Sequence, residues 1–180
     1  MKTNVIISGL IIGVVVGLVG NFLPEGAPLK VAWAVSGLGL IVAYLLLAAR
    51  YARTSRDEVA VGFALMAIGE AVLFSGLAYG VQGSQTAFAG GASIFFVALL
   101  LINLPDTLAI WTRAAGVIAG LLFAVAALQI YAGQPVLANS SPLVGSAYGL
   151  LSVAIIGWII AVLRGERTAV SGEHVPQARA

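Results

Sequence analysis

The sequence has no cysteine and a single histidine, His174. Without thiols there can be no disulfides, iron–sulfur clusters or thiolate metal sites. With its one imidazole in a polar C-terminal stretch, the chain offers no axial ligand to a haem buried among helices. No resident cofactor or metal is therefore expected. Charge is as scarce, with nine lysines and arginines and seven acids among 180 residues. That is 9% charged, where a soluble domain carries roughly 25%. So few charges beside 61% hydrophobic residues cannot cover a globule, which excludes a soluble enzyme or binding module. The same figures exclude a disordered chain, which needs low hydrophobicity and high charge. Catalytic patterns are missing too. There is no phosphate-binding loop or zincin motif, no Ser/His/acid set, and neither Lys2 nor Lys30 lies in an apolar run to serve a Ser–Lys dyad. An enzyme is not expected.

What is present is a series of apolar runs. A hydrocarbon core of about 30 Å takes about 20 apolar residues per helix. Six runs meet this, at about 5–23, 31–49, 59–80, 86–104, 114–131 and 143–163. Turn or charge signals such as Pro24-Glu25-Gly26, Pro105-Asp106 and Gly133-Gln134-Pro135 separate them. They are too long for barrel strands and show no alternation. The expected fold class is an all-α, polytopic membrane helix bundle with six transmembrane helices. Residues 1–163 form one domain, followed by a polar, mobile cytoplasmic tail over 164–180. The first run lacks a cleavage site before Pro24 and reads as a retained helix rather than a signal peptide. Pro105–Arg113 is expected to be a loop anchored by Trp111, or else a short interfacial helix capped by Asp106 or Thr107.

The basic residues record a topology. With six spans, Lys2, Arg50, Arg53, Arg56, Arg113, Arg164, Arg167 and Arg179 fall on one side and Lys30 alone on the other. This positive-inside bias places both termini in the cytoplasm, with the chain in a plasma or inner membrane. It also accounts for the net charge of +2 without a nucleic-acid partner.

Glycine is abundant and patterned. Gly9, Gly13 and Gly17 repeat every four residues in the first span, as do Gly116 and Gly120 in the fifth and Gly145 and Gly149 in the sixth. In lipid, helices associate through close backbone approach at small residues, so these are expected packing stripes. The third span carries Gly62, Gly69, Gly76 and Gly80 on one face and Ala60, Ala64, Ala67, Ala71 and Ala78 on another, which fits a helix held between two neighbours. Such faces would serve the bundle itself, a homo-oligomer contact or a partner subunit.

Of the acidic and basic side chains, one falls inside a span. Glu70 is near the middle of the third, where an ionised carboxylate costs at least roughly 2.5–3.5 kcal/mol. No lysine or arginine in another span lies at its depth. It is therefore expected to be protonated at rest or reached by water, and to face another helix or a cavity rather than lipid. Polar groups in other spans that could meet it are Ser36, Tyr44, Ser93, Gln129, Tyr148 and Ser152, with Ser93 and Ser152 nearest the midplane. The sequence leaves two main functions open. One is a small channel or secondary transporter for a small solute or ion, with Glu70 as a protonatable group in its pathway. The other is a non-catalytic accessory or scaffold subunit packed through glycine-rich faces. A lipid-modifying enzyme is disfavoured, because no catalytic constellation is present.

Overall fold

The computed structural model describes residues 2–172, with the side chains of 3–165. Its long helices are α1 (Lys2–Gly20), α2 (Ala27–Ala52), α3 (Asp57–Gly76), α4 (Gln85–Asn103), α5 (Ile110–Tyr131) and α6 (Pro142–Gly172). All six are long and apolar enough to cross a membrane, α3 together with the short turns that follow it. The chain is thus a multi-pass membrane protein by length and composition. The tail expected from residue 164 begins inside α6, and residues 173–180 lie outside the described residues.

Local chemistry sets the helix ends. Gly26 has φ 141° and precedes Ala27-Pro28, so the proline occupies the first helical turn, where no donor is needed. α5 ends on Gly133 at φ 80°, and Gln134 N–H returns to Gln129 O at 2.9 Å, a left-handed glycine cap. α3 stops earlier than its apolar run. A 3-10 turn (Leu77–Tyr79) and a one-turn helix (Gly80–Gly83) follow, separated by Gly80 at φ 73°. Pro105–Ala109 is a non-helical connection and α5 starts only at Ile110, with no side-chain cap from Asp106 or Thr107. Arg113 turns back, donating from Nε to Asn103 O (2.9 Å) and from a terminal guanidinium nitrogen to Leu104 O (2.7 Å). It thereby satisfies carbonyls that α4 leaves orphaned.

Each helix packs on the next in sequence, and a slighter contact between α1 and α6 closes the ring. The glycine stripes set the pair distances. A Cβ at Gly9 would lie 2.7 Å from Gly39 O of α2, and one at Gly62 would lie 2.9 Å from Ala98 O of α4. Gly69 and Gly76 face Phe95 and Ala87 of α4, and Gly116 and Gly120 meet Asn103 and Leu99 of α4 from the other side. α3 is the most buried of the six helices. Its alanine face packs only in part, since Ala60 and Ala67 are buried while Ala71 and Ala78 are exposed. Gly145 and Gly149 differ from the other stripes. A Cβ at either would meet nothing within 4 Å, so the packing expected of them is not made inside this chain.

The connections at 53–56 and 104–109 define one end of the ring, which carries Arg50, Arg53, Arg56, Arg113 and Arg164 and is called the basic end below. The opposite end holds the connections at 21–26, 77–84 and 132–141, with Lys30 beside them.

Candidate functional site

A ring of six helices has an interior that side chains must fill, and the two halves of this one are filled differently. Towards the basic end the filling is bulky. Phe63 of α3 packs edge-on against Trp158 of α6 (centroids 5.0 Å, 79°), and Trp158 packs edge-on against Tyr44 of α2 (6.1 Å, 77°). Tyr51 stacks on Phe63 at 5.5 Å. Leu10, Leu47, Val59 and Met66 complete a layer with no exposed surface. In the opposite half, small residues (Gly13 and Gly17 of α1, Ser36 and Gly37 of α2) leave a cavity of about 140 Å³. One water needs about 10–15 Å³ of such space, so there is room for several.

Glu70 lies where the two halves meet. It is the fourteenth of the 27 residues of its span, Asp57–Gly83, and so at its centre. Only 6% of its surface is exposed, yet it lines the cavity. Its carboxyl accepts and donates no hydrogen bond among the described residues. Gly37 of α2 lies beside the acid, and a Cβ there would stand 3.7 Å from Glu70 Oε2, in ordinary contact. No lysine or arginine lines the cavity. Arg113, the nearest cation by sequence type, is committed to the end of α4.

Hydroxyl groups share the wall. Ser36 Oγ donates to Gly13 O (2.7 Å) and Ser152 Oγ to Tyr148 O (2.8 Å), which leaves their lone pairs free towards the space. Tyr148 completes that side and packs edge-on against Phe123 at 5.0 Å. Tyr44 lies past Glu70 towards the basic end, two turns along α2 from Gly37. Its hydroxyl and Trp158 Nε1 are fully buried without partners.

The rim of the cavity is formed by Asn21, Ser84 and Ala138, one from each connection at the end away from the arginines. A second space of about 300 Å³ adjoins it, sharing Trp33, Leu77 and Ser84 and flanked by Glu25 and Lys30. Lys30 Nζ donates to Ala78 O (3.1 Å) and Asn139 Nδ2 to Glu25 Oε1 (3.2 Å), tying the connections around this mouth together.

Of the residues expected from the sequence, Glu70, Ser36, Ser152 and Tyr148 come together around the cavity, and Tyr44 lies outside its wall, further along α2 towards the basic end. Ser93 does not join them. Its hydroxyl donates to Ala89 O (2.8 Å) and lies 3.5 Å from Tyr131 Oη, on another side of α4. Gln129 is likewise no part of the wall. The cavity's own glycines, with Trp33 and Asn21, were not singled out by sequence as pathway residues. Gly13 and Gly17 had a signal, but it read as packing. Among the described residues no group of three or more His, Cys, Asp or Glu could hold a metal ion.

No family model matches this chain, and neither a curated protein nor a solved structure matches it.

Proposed function

We propose that this chain is a small proton-linked carrier in which Glu70 takes up and releases the coupled proton. One observation carries the reading: a cavity with hydroxyls in its wall runs from the connections of one end to an unpaired, buried carboxyl and stops there against an aromatic layer. A channel needs a continuous path, whereas alternating access calls for a path open to one side at a time, with the binding group near the midplane. Acids held inside a membrane span commonly serve such proton relays. The arginine-rich end belongs in the cytoplasm by the positive-inside rule, as do both termini. The cavity then faces the outside of a plasma or inner membrane, and Glu70 loads its proton from that side.

The test needs no knowledge of the solute. Purified protein in liposomes on a solid-supported membrane should give a transient charge displacement after a pH jump on the cavity side. Glu70→Gln, which keeps the volume and polarity but cannot ionise, should abolish it. A transient of unchanged size in the variant would end the proposal.

Sidedness has its own measurement, made clean by the absence of native cysteine. In intact cells, Ser152→Cys should react with a small, charged, membrane-impermeant thiol reagent. Leu47→Cys, beneath the aromatic layer, should not. Equal reaction at both positions would contradict a cavity that ends at Glu70.

A second reading rests on a different observation, the uncovered Gly145 and Gly149 face of α6. Stripes of this kind elsewhere in the chain each meet a helix, so an accessory subunit docked through α6 would account for this one. Its signature is co-purification with another membrane subunit together with no charge transient.

A further inference from the structure

The cavity carries information about the solute as well as the proton. Its charge is one-signed, with a single carboxylate, no lysine or arginine in the wall, and no hydrogen bond from protein to that carboxyl. An anionic solute would meet an acid with nothing to balance either charge. A neutral, hydrogen-bonding solute could meet Asn21, Trp33 and Tyr148 but would leave the carboxylate's charge unbalanced, and Ser36 and Ser152 already spend their protons on backbone carbonyls. A cation is left as the species that completes the site.

The rest of the wall says which kind of cation. Small hard ions take six or more oxygen ligands or retain much of their water. Around Glu70 the oxygens on offer are its own carboxylate and the hydroxyls of Ser36, Ser152 and Tyr148, and the remaining surface is mainly apolar. Trp33, Phe74 and Phe88 stand in that surface. Aromatic faces attract weakly hydrated organic cations, and carboxylate with aromatic walls is the chemistry that recognises quaternary ammonium groups. Apolar substituents on the nitrogen would be buried against Leu40, Leu73 and the rings.

Resting on the carrier reading above, we infer that the solute is a small monovalent organic cation of the alkylammonium class, exchanged against the proton at Glu70. The exchange balances without a further reactant. The protonated carboxyl gives its proton to water on the cavity side, and the carboxylate then pairs with the ammonium. Reprotonation from the same or the opposite side releases it. Net charge at the site stays at zero in both loaded forms, which avoids leaving a bare carboxylate in hydrocarbon. The titratable groups that face Glu70 are Tyr44 on α2 and Tyr148 on α6. The stretches of α1 and α4 that line the cavity present none.

The probe is tetraethylammonium, titrated calorimetrically into the purified full-length protein in detergent, with the pH-jump transient recorded from the same protein in liposomes. Saturable binding is expected, with release of a proton seen as a dependence of the heat on the buffer used. Protonation lowers the competent fraction, so the apparent affinity should fall by about tenfold per pH unit once the protonated form dominates. Glu70→Gln should lose binding. Trp33→Leu, which leaves the acid in place, should weaken binding severalfold while keeping its pH dependence, and so guards against a misfolded Glu70 variant. Absence of binding by wild-type protein that still shows the proton transient would overturn the cation while leaving the carrier intact. Binding that survives in Glu70→Gln, or that does not change with pH, would also overturn it. Cation binding in a protein without a proton transient would instead remove the proton-linked carrier and, with it, the exchange.

Discussion

Trp158→Ala should turn a sealed protein into a leaky one. In liposomes loaded with a pH dye, passive proton entry is expected to rise well above that of wild type, and Leu47→Cys should become reactive from the cavity side. The reason is geometric. Below Glu70 the ring interior is closed by Tyr44, Phe63 and Trp158, each from a different helix and each touching the other two, and Trp158 is the largest of the three. α6 reaches Phe63 of α3 through this large side chain. Removing a buried Trp costs about 3–5 kcal/mol in a packed core, and the site collapses only in part. Here the residual space would join the cavity above to the basic end. Trp158→Phe keeps a ring in the layer and should stay sealed. If Trp158→Ala remained tight to protons and Leu47→Cys stayed protected, the aromatic layer would not be the barrier.

On the carrier reading, the same layer would have to part, and two of its polar groups fit that. Tyr44 Oη and Trp158 Nε1 are fully buried and unpartnered. Leaving such a group unsatisfied costs about 1–3 kcal/mol. A layer built only to pack could use Phe in place of Tyr at no such cost. A layer that opens to water in the opposite state recovers both hydrogen bonds there, which narrows the gap between the two states.

How much of this was legible from the sequence depends on whether depth or direction was needed. Depth needs only the count of apolar residues and the position of the turns, so the six spans and the central placement of Glu70 were within reach. Direction round each helix was not. In a soluble helix the polar face marks the outside, but lipid is as apolar as leucine and erases that mark. Ser93 and Ser152 were equally good by depth, yet only Ser152 faces the cavity. The spacing of Gly13 and Gly17 marks a contact stripe, and they do pack against Leu40 and Ser36 of α2. They also leave the space that Glu70 looks into, and nothing in their spacing distinguishes room filled by a neighbour from room left empty. The open face at Gly145 and Gly149 shows the same ambiguity, because its spacing matches that of Gly116 and Gly120, which are packed.

Gly69→Val should destabilise the bundle and disable the site in a single change. Gly69 of α3 and Gly91 of α4 approach each other by backbone, and a Cβ at Gly91 would stand 3.0 Å from Gly69 O. A Cβ at Gly69 would lie 2.6 Å from the ring of Phe95, before valine's two further methyl groups are added. Phe95 cannot yield, being fully buried and packed edge-on against Phe123 at 5.4 Å. The helices must therefore separate. Overpacking of this kind costs about 1–3 kcal/mol, and for a chain of this length each kcal/mol is worth about 2–4 °C. A fall in the unfolding temperature of about 5–10 °C in detergent, followed by circular dichroism, is the result expected from the upper part of that range. Because Glu70 is the next residue, moving α3 off α4 also shifts the carboxyl from its place beside Gly37, and the pH-jump transient should go with it. Gly145→Ala is the matched control. It adds a methyl where nothing lies within 4 Å and gains about 1 kcal/mol of helix propensity, so its unfolding temperature should hold or rise. Equal behaviour of the two variants would mean that close approach of α3 and α4 does not hold the acid in position.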